Sequence, residues 1–260
     1  MVHKLKKPLK VFLIVLFWFI VWEIASVLIN KPLLFPSPID VFIKLLELAL
    51  TKTFWENTLL SLGRVSLGIV IAIISGAILA LLSAFSKLLY EVIYPLVTII
   101  KSTPVASFII LVWIFIGNGA TPVVISALMV FPIVYANVYQ GIKSVDQNMI
   151  EVCKIYKISG KKMLSSLYLP TVLPYFTSAL LSSIGLGWKA GIAAEVLCTP
   201  MKSIGRAIFE SKTYIEYVDL FAWTLTVILL SLALEFSLTK LIKLAFKKHM
   251  VLPKGDKDGN

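Results

Sequence analysis

Apolar residues in this chain come in long runs separated by short polar punctuation. No charged residue falls between Arg64 and Lys87, between Lys101 and Lys143, or between Lys162 and Lys189. A helix that crosses a bilayer needs roughly 20 such residues in succession. Hydropathy combined with turn signals predicts six spans, near 10–29, 62–85, 92–116, 121–141, 171–197 and 219–242. The uncharged stretch 102–142 is two spans rather than one. A single helix there would be about 60 Å long, and Gly117-Asn118-Gly119-Ala120-Thr121-Pro122 supplies a turn in its middle. All six are expected to be helical, because in hydrocarbon each backbone N–H needs a partner within its own segment and the runs lack strand alternation.

Two polar segments carry a helical pattern of their own. Phe35-Pro36-Ser37-Pro38-Ile39-Asp40 opens one that runs to about Leu50, with Ser37 as cap, Pro38 at the first helical position and Asp40 three residues after the cap. Ile39, Phe42, Leu45, Leu46 and Ala49 recur at helical spacing and would lay this helix on the membrane surface or against a span. The second segment, Gly141 to Pro170, is too long for a plain connector, since helix–helix connections usually take about 2–8 residues. It predicts a helix over 146–156 with Val145, Met149, Val152 and Tyr156 on one face, a break at Ser159-Gly160, and a second helix over 161–168 that stops at Leu169-Pro170. Such a helix-turn-helix suits docking to a partner.

Composition fits this pattern. Hydrophobic residues make up 58% of the 260, charged residues 15%, and mean hydropathy is +0.91, against about 45–50% and about 25% in soluble domains. The net charge of +11 is mostly topogenic. With the N-terminus inside, Lys4, Lys6, Lys7, Lys10, Lys87, Lys143, Lys154, Lys157, Lys161, Lys162, Lys240, Lys243, Lys247, Lys248, Lys254 and Lys257 are cytoplasmic. Only Lys31, Lys44, Lys52, Lys202, Arg206 and Lys212 are then external, so both termini are expected in the cytoplasm of a multi-pass plasma-membrane protein. The same lysines attract anionic lipid, and no basic patch with interleaved aromatics points to nucleic acid. The first apolar run resembles a signal peptide but offers a poor cleavage site around Ala25-Ser26, and it is read as a retained helix. The expected division is a cytoplasmic N-terminus at 1–9, a membrane domain at 10–246 containing the loop 141–170, and a cytoplasmic tail at 247–260. Cys153 and Cys198 give no disulfide framework or metal spacing, and His3 and His249 sit in the charged ends.

The loop also carries a resemblance. Glu151-Val152-Cys153, followed by Leu169-Pro170 eighteen and nineteen residues after the glutamate, resembles the cytoplasmic "EAA" loop of binding-protein-dependent ABC import permeases. Phe35-Pro36-Ser37-Pro38, Ser102-Thr103-Pro104 with Trp113 and Gly117-Asn118-Gly119, Trp188 with Ala193-Ala194-Glu195, and Phe221-Ala222-Trp223 are similar to the nitrate/sulfonate/taurine branch of that superfamily. Val152 and Cys153 stand where the family has alanines. Lys157 stands where it has glycine, so the turn glycine is read as displaced to Gly160. The resemblance implies an all-α, six-span permease subunit of the type I importer kind, with a helix-turn-helix coupling loop. It implies as partners a second permease subunit, read as a homodimer, a cytosolic ABC ATPase dimer and an external solute-binding protein. Glu151, Lys157, Ser159, Gly160, Leu169 and Pro170 become the coupling residues. The cargo it implies is a small anion of the sulfonate, nitrate or taurine kind, with a vitamin precursor such as a thiamine pyrimidine as the alternative cargo and an ion-coupled secondary carrier as the alternative class.

No catalytic chemistry is legible in the chain. Gly160-Lys161 lacks the earlier glycine and the following Ser or Thr of a Walker A loop, so ATP and magnesium are expected on the partner ATPase and no cofactor on this chain. Gly187 and Gly191 form a G-x-x-x-G, read as helix packing. Lys101, Lys189, Glu23, Glu195 and Glu235 interrupt the spans, and ionisable residues at depth are costly enough to suggest function. If span three is straight, Lys101 lies about 14 Å inside. Lys189 and Glu195 point about 120° apart on their helix, whereas Trp188, Gly191, Ile192 and Glu195 share a face. Lys101, Ser102, Thr103, Trp188, Lys189 and Glu195 are the candidate pathway residues. The competing reading pairs Lys101 with Glu235, and lets Lys189 and Glu195 snorkel or pair with Glu23 and loop charges.

Overall fold

The computed structural model describes residues 2–31 and 33–246. The expected tail, with Lys247, Lys248, His249, Lys254 and Lys257, lies outside the described residues, as do the side chains of His3, Lys4, Lys6, Lys7 and Lys243. The described chain is helical: α1 (Val2–Ile29), α2 (Pro38–Ala49), α3 (Lys52–Phe85), α4 (Lys87–Ser102), α5 (Val105–Ile116), α6 (Thr121–Lys143), α7 (Gln147–Ile155), α8 (Gly160–Met163), a π-helical turn (Leu164–Tyr168), α9 (Leu169–Cys198), α10 (Ile204–Thr213) and α11 (Tyr217–Phe246). Leu9–Ile29 within α1, all of α3 and α6, the continuous stretch Gly160–Cys198, and Tyr217–Leu241 within α11 are each long and apolar enough to cross a bilayer. The described residues thus form an all-α, multi-pass membrane protein of five or six spans. From Leu9 to Ile29 α1 leaves most of its apolar side chains exposed, as a helix facing lipid should.

Two expectations are overturned by prolines. The predicted span 92–116 is not one straight helix: α4 and α5 meet at 109°. Thr103 and Pro104 adopt extended ψ of 132°, because a proline ring disfavours helical backbone in the residue before it. The Thr103 hydroxyl donates to the Ile99 carbonyl at 2.8 Å and helps close α4. The Lys101 depth inferred from a straight span therefore does not hold. In the loop, the second helix does not stop at Leu169-Pro170 but runs through the π turn into α9. Pro170 has no N–H to give, and widening the preceding turn, with the Leu169 N–H reaching the Leu164 carbonyl, carries the chain past it.

The chain divides into two compact units, one of residues through Ser61 with Glu195–Leu229, the other of Leu62–Ala194 with residues from Leu230 on. In the first unit the Ser37 hydroxyl accepts from the Asp40 N–H at 3.1 Å and donates to the Asp40 carboxylate at 2.8 Å, capping α2 as its sequence predicts. The buried stripe of α2 is Pro38, Val41 and Leu45. Ile39, Phe42 and Leu46 of the predicted face are exposed. Phe221 meets Trp22 and Phe35 at 6.0 and 5.8 Å between ring centres, and Phe54 stacks on Trp223 at 5.0 Å. Lys44 lies 3.5 Å from Asp219 and from Glu47. Burial works against its charge, but those two carboxylates outweigh burial and hold the ammonium above the ordinary lysine value.

In the second unit α6 supplies the core, with Ile125, Val130, Val134, Tyr135 and Val138 buried. The G-x-x-x-G of α9 packs as expected. A Cβ on Gly187 would meet Val130 and Ile69, and one on Gly191 would meet Ser126 and Val65, so both positions admit only hydrogen at this approach.

Candidate functional site

A cavity of about 500 Å³ opens between α4 and α6, lined by Tyr90, Tyr94, Val97, Thr98, Lys101 and Ser102 from one helix and by Tyr135, Ala136, Tyr139 and Gln140 from the other. Helical spacing explains the lining, since Tyr90, Tyr94, Val97, Thr98 and Lys101 fall on one face of α4. The rings form a ladder. Tyr94 meets Tyr90 at 5.2 Å, Tyr90 stacks on Tyr139 at 4.8 Å and 18°, and Tyr139 lies 6.1 Å and 11° from Tyr135. Beyond them the Lys143 ammonium sits 5.7 Å over the Tyr139 ring while donating to the Ala84 carbonyl at 2.9 Å.

Lys101 is exposed to this cavity and makes no ion pair among the described residues. Its competing partner, Glu235, lies elsewhere in the same unit. Glu235 lines a smaller cavity of about 210 Å³ with Leu180, Ile184 and Leu238. The Thr98 and Ser102 hydroxyls donate to the Tyr94 and Ile99 carbonyls at 2.9 and 3.1 Å, leaving lone pairs rather than protons for a ligand. The Tyr135 hydroxyl is buried and has no hydrogen-bond partner among the described residues. The mobile donors of the cavity are thus Lys101, Gln140 and the tyrosine hydroxyls.

The other expected pathway residues are placed differently. Thr103 belongs to the bend, and neither it, Trp188 nor Lys189 lines the cavity. Trp188 is fully buried and Lys189 exposed. Glu195 is fully buried in the first unit, on the face it shares along α9 with Trp188, Gly191 and Ile192. Its Oε2 accepts from the Ser61 hydroxyl at 2.6 Å and from the Gly205 N–H at 3.3 Å, and Ser61 Oγ in turn accepts from the Ile204 N–H at 2.9 Å. With Ser203 capping Arg206 at 3.0 Å, these groups satisfy the orphan donors at the start of α10. Gly205 admits no side chain there, because a Cβ would run into the Glu195 Cβ and backbone.

The loop is open to a partner. Met149, Val152 and Ile155 on α7 and Tyr156 just after it are exposed, whereas Val145 is buried. Asp146 caps α7 through the Asn148 N–H at 2.8 Å. Glu151, Lys157, Ser159 and Gly160 are exposed, as is Leu169, and Pro170 is half-buried. Glu151 makes no ion pair among the described residues, which leaves its carboxylate open to a partner. The turn glycine is not displaced to Gly160. Lys157 itself takes the left-handed backbone, with φ of +50°, while Gly160 opens α8 and a Cβ there would meet open space.

Sequence reasoning missed the four tyrosines and the whole of α10. The i, i+4 pairs Tyr90/Tyr94 and Tyr135/Tyr139, rare polar tips inside apolar spans, were the available signal for the first.

A helical membrane bundle with a lysine-bearing cavity and an exposed two-helix loop is built for transport across a bilayer. Residues 68–247 match the family described as binding-protein-dependent transport system inner membrane component, and the chain belongs to that family. It is 28% identical to a probable ABC transporter permease protein of Haemophilus influenzae over 92% of this chain and 96% of that one. It is 24% identical to the taurine transport system permease protein TauC of Escherichia coli over 85% and 82%. To the formylaminopyrimidine transport permease protein ThiX of Halalkalibacterium halodurans it is 25% identical over 68% and 71%.

Proposed function

We propose that this chain is one of two identical permease subunits of an ATP-driven importer of a small anionic solute. A solute-binding protein delivers the solute on the outer side, and a cytosolic ABC ATPase dimer, which carries the ATP and magnesium, grips the 141–170 loop. Residues 1–9 and 247–260 flank the membrane domain on the cytosolic side, as the lysine distribution supports. The single observation that carries the cargo reading is Lys101, a cation with no carboxylate partner among the described residues, on the wall of a cavity otherwise made of helical spans. An ammonium on a cavity wall with no carboxylate beside it is a ready partner for a carboxylate or sulfonate group of a solute. Taurine, the solute named for one relative, carries a sulfonate group that a lysine can meet. The formylaminopyrimidine relative supports the alternative of a vitamin precursor. Glu151 and Lys157 to Gly160, exposed beside the apolar face of α7, are assigned to the ATPase contact, with Leu169 and Pro170 joining that contact to α9. Of the three candidate residues of α9, the exposed Lys189 stays assigned to the pathway, while Trp188 and Glu195, both fully buried, are assigned to packing.

The bend between α4 and α5 is a feature shared with ion-coupled carriers, so the test separates the two classes. The chain is reconstituted in liposomes alone and together with its ATPase and binding protein. Accumulation that requires ATP and all components is expected. Accumulation by the chain alone under a proton or sodium gradient would contradict the assignment.

A further inference from the structure

Resting on the reading of the α4–α6 cavity as the solute route, we propose that its cargo is a flat aromatic anion, an aryl sulfonate or aryl carboxylate, rather than a bare oxyanion or an aliphatic one. Three observations converge. First, the ring ladder of Tyr135, Tyr139, Tyr90 and Tyr94 ends at Tyr94, which is 53% exposed. Its face can take one more planar ring in the offset stacking that Tyr90 and Tyr135 already use on Tyr139. Second, Lys101 lies on the Tyr94 face of α4, seven residues and about 10 Å along the helix. An anionic group attached to a stacked ring is thereby directed toward the ammonium, whereas a bare anion gains nothing from the tyrosine faces. Third, Tyr135 also lines the cavity, and its buried hydroxyl, which has no partner among the described residues, can donate to the same anionic group. At about 500 Å³ the cavity is in the range of organic ligands, far larger than a four-atom oxyanion needs.

Nanodiscs holding the chain with its ATPase, without binding protein, are titrated with benzenesulfonate, ethanesulfonate, nitrate and neutral 4-aminopyrimidine, and free ligand is measured by equilibrium dialysis. Benzenesulfonate is expected to bind about tenfold more tightly than ethanesulfonate, the scale of one ring stacked on an aromatic side chain. Tyr94→Leu should erase that ratio and Tyr94→Phe keep it, with tryptophan fluorescence and elution volume confirming the fold of each. Lys101→Met and Tyr135→Phe should weaken both sulfonates alike. Equal binding of the two sulfonates, no binding of either, or a ratio that survives Tyr94→Leu overturns the inference. Aminopyrimidine binding as tight as benzenesulfonate overturns its anionic half. Failure of the inference alone would show as a lost ring preference with Lys101→Met still lowering sulfonate binding here and uptake in proteoliposomes. If Lys101→Met changes neither, the route reading falls as well.

Discussion

Lys157 shows how a single residue sets the docking loop. Its left-handed backbone crowds a side chain against the following carbonyl, at a cost of about 1–2 kcal/mol for an L residue. Lys157→Gly should therefore stabilise the loop by about 1 kcal/mol, read as slower hydrogen exchange over 147–163. Gly160→Val, at an open helix start, should leave exchange over 147–163 nearly unchanged; faster exchange there would restore Gly160 as the turn residue. A family turn position can be found from sequence, but whether a lysine keeps the turn or passes it to a nearby glycine depends on backbone energy that spacing does not contain. Glu195 carries the same lesson. Sequence marks it as an intramembrane charge, and only the fold shows Ser61 and Gly205 donating to it across 134 and 10 residues. Gly205→Ala should destabilise the protein by about 3 kcal/mol through overpacking, seen as a lower unfolding temperature in detergent, while Ser61→Ala should cost less.

At the scale of elements, apolar run length located α3, α6, α9 and α11 because a bilayer span must be long and uncharged. Proline effects were less legible. Pro104 breaks a span and Pro170 does not, although both follow a residue that could have extended. The difference lies in how freed carbonyls are satisfied: the Thr103 hydroxyl closes α4, whereas the π turn before Pro170 keeps the helix going. α10 was invisible to hydropathy because 199–218 has no apolar run. Its signs are the Ser203 cap and the Arg206–Glu210 pair at 2.7 Å. If the π turn transmits loop movement to α9, Pro170→Ala, which lets an ordinary α-helix form, should lower transport while ATPase copurification persists. Equal loss of both would assign Pro170 to docking alone.

For the molecule as a whole, the lysine bias predicts a topology that labelling can read. In a Cys153→Ser, Cys198→Ser background, cysteines introduced as Lys161→Cys and Lys212→Cys should react with an impermeant maleimide from opposite sides of the membrane, the first only in inside-out vesicles. Reaction of both from one side would contradict the topology. The central claim is that solute passes by Lys101 while the loop holds the ATPase. Its most direct test is ATP-dependent uptake by the reconstituted importer carrying Lys101→Met. The account predicts a folded complex with its ATPase still bound and anion uptake abolished. Uptake at the normal rate in that complex would contradict it.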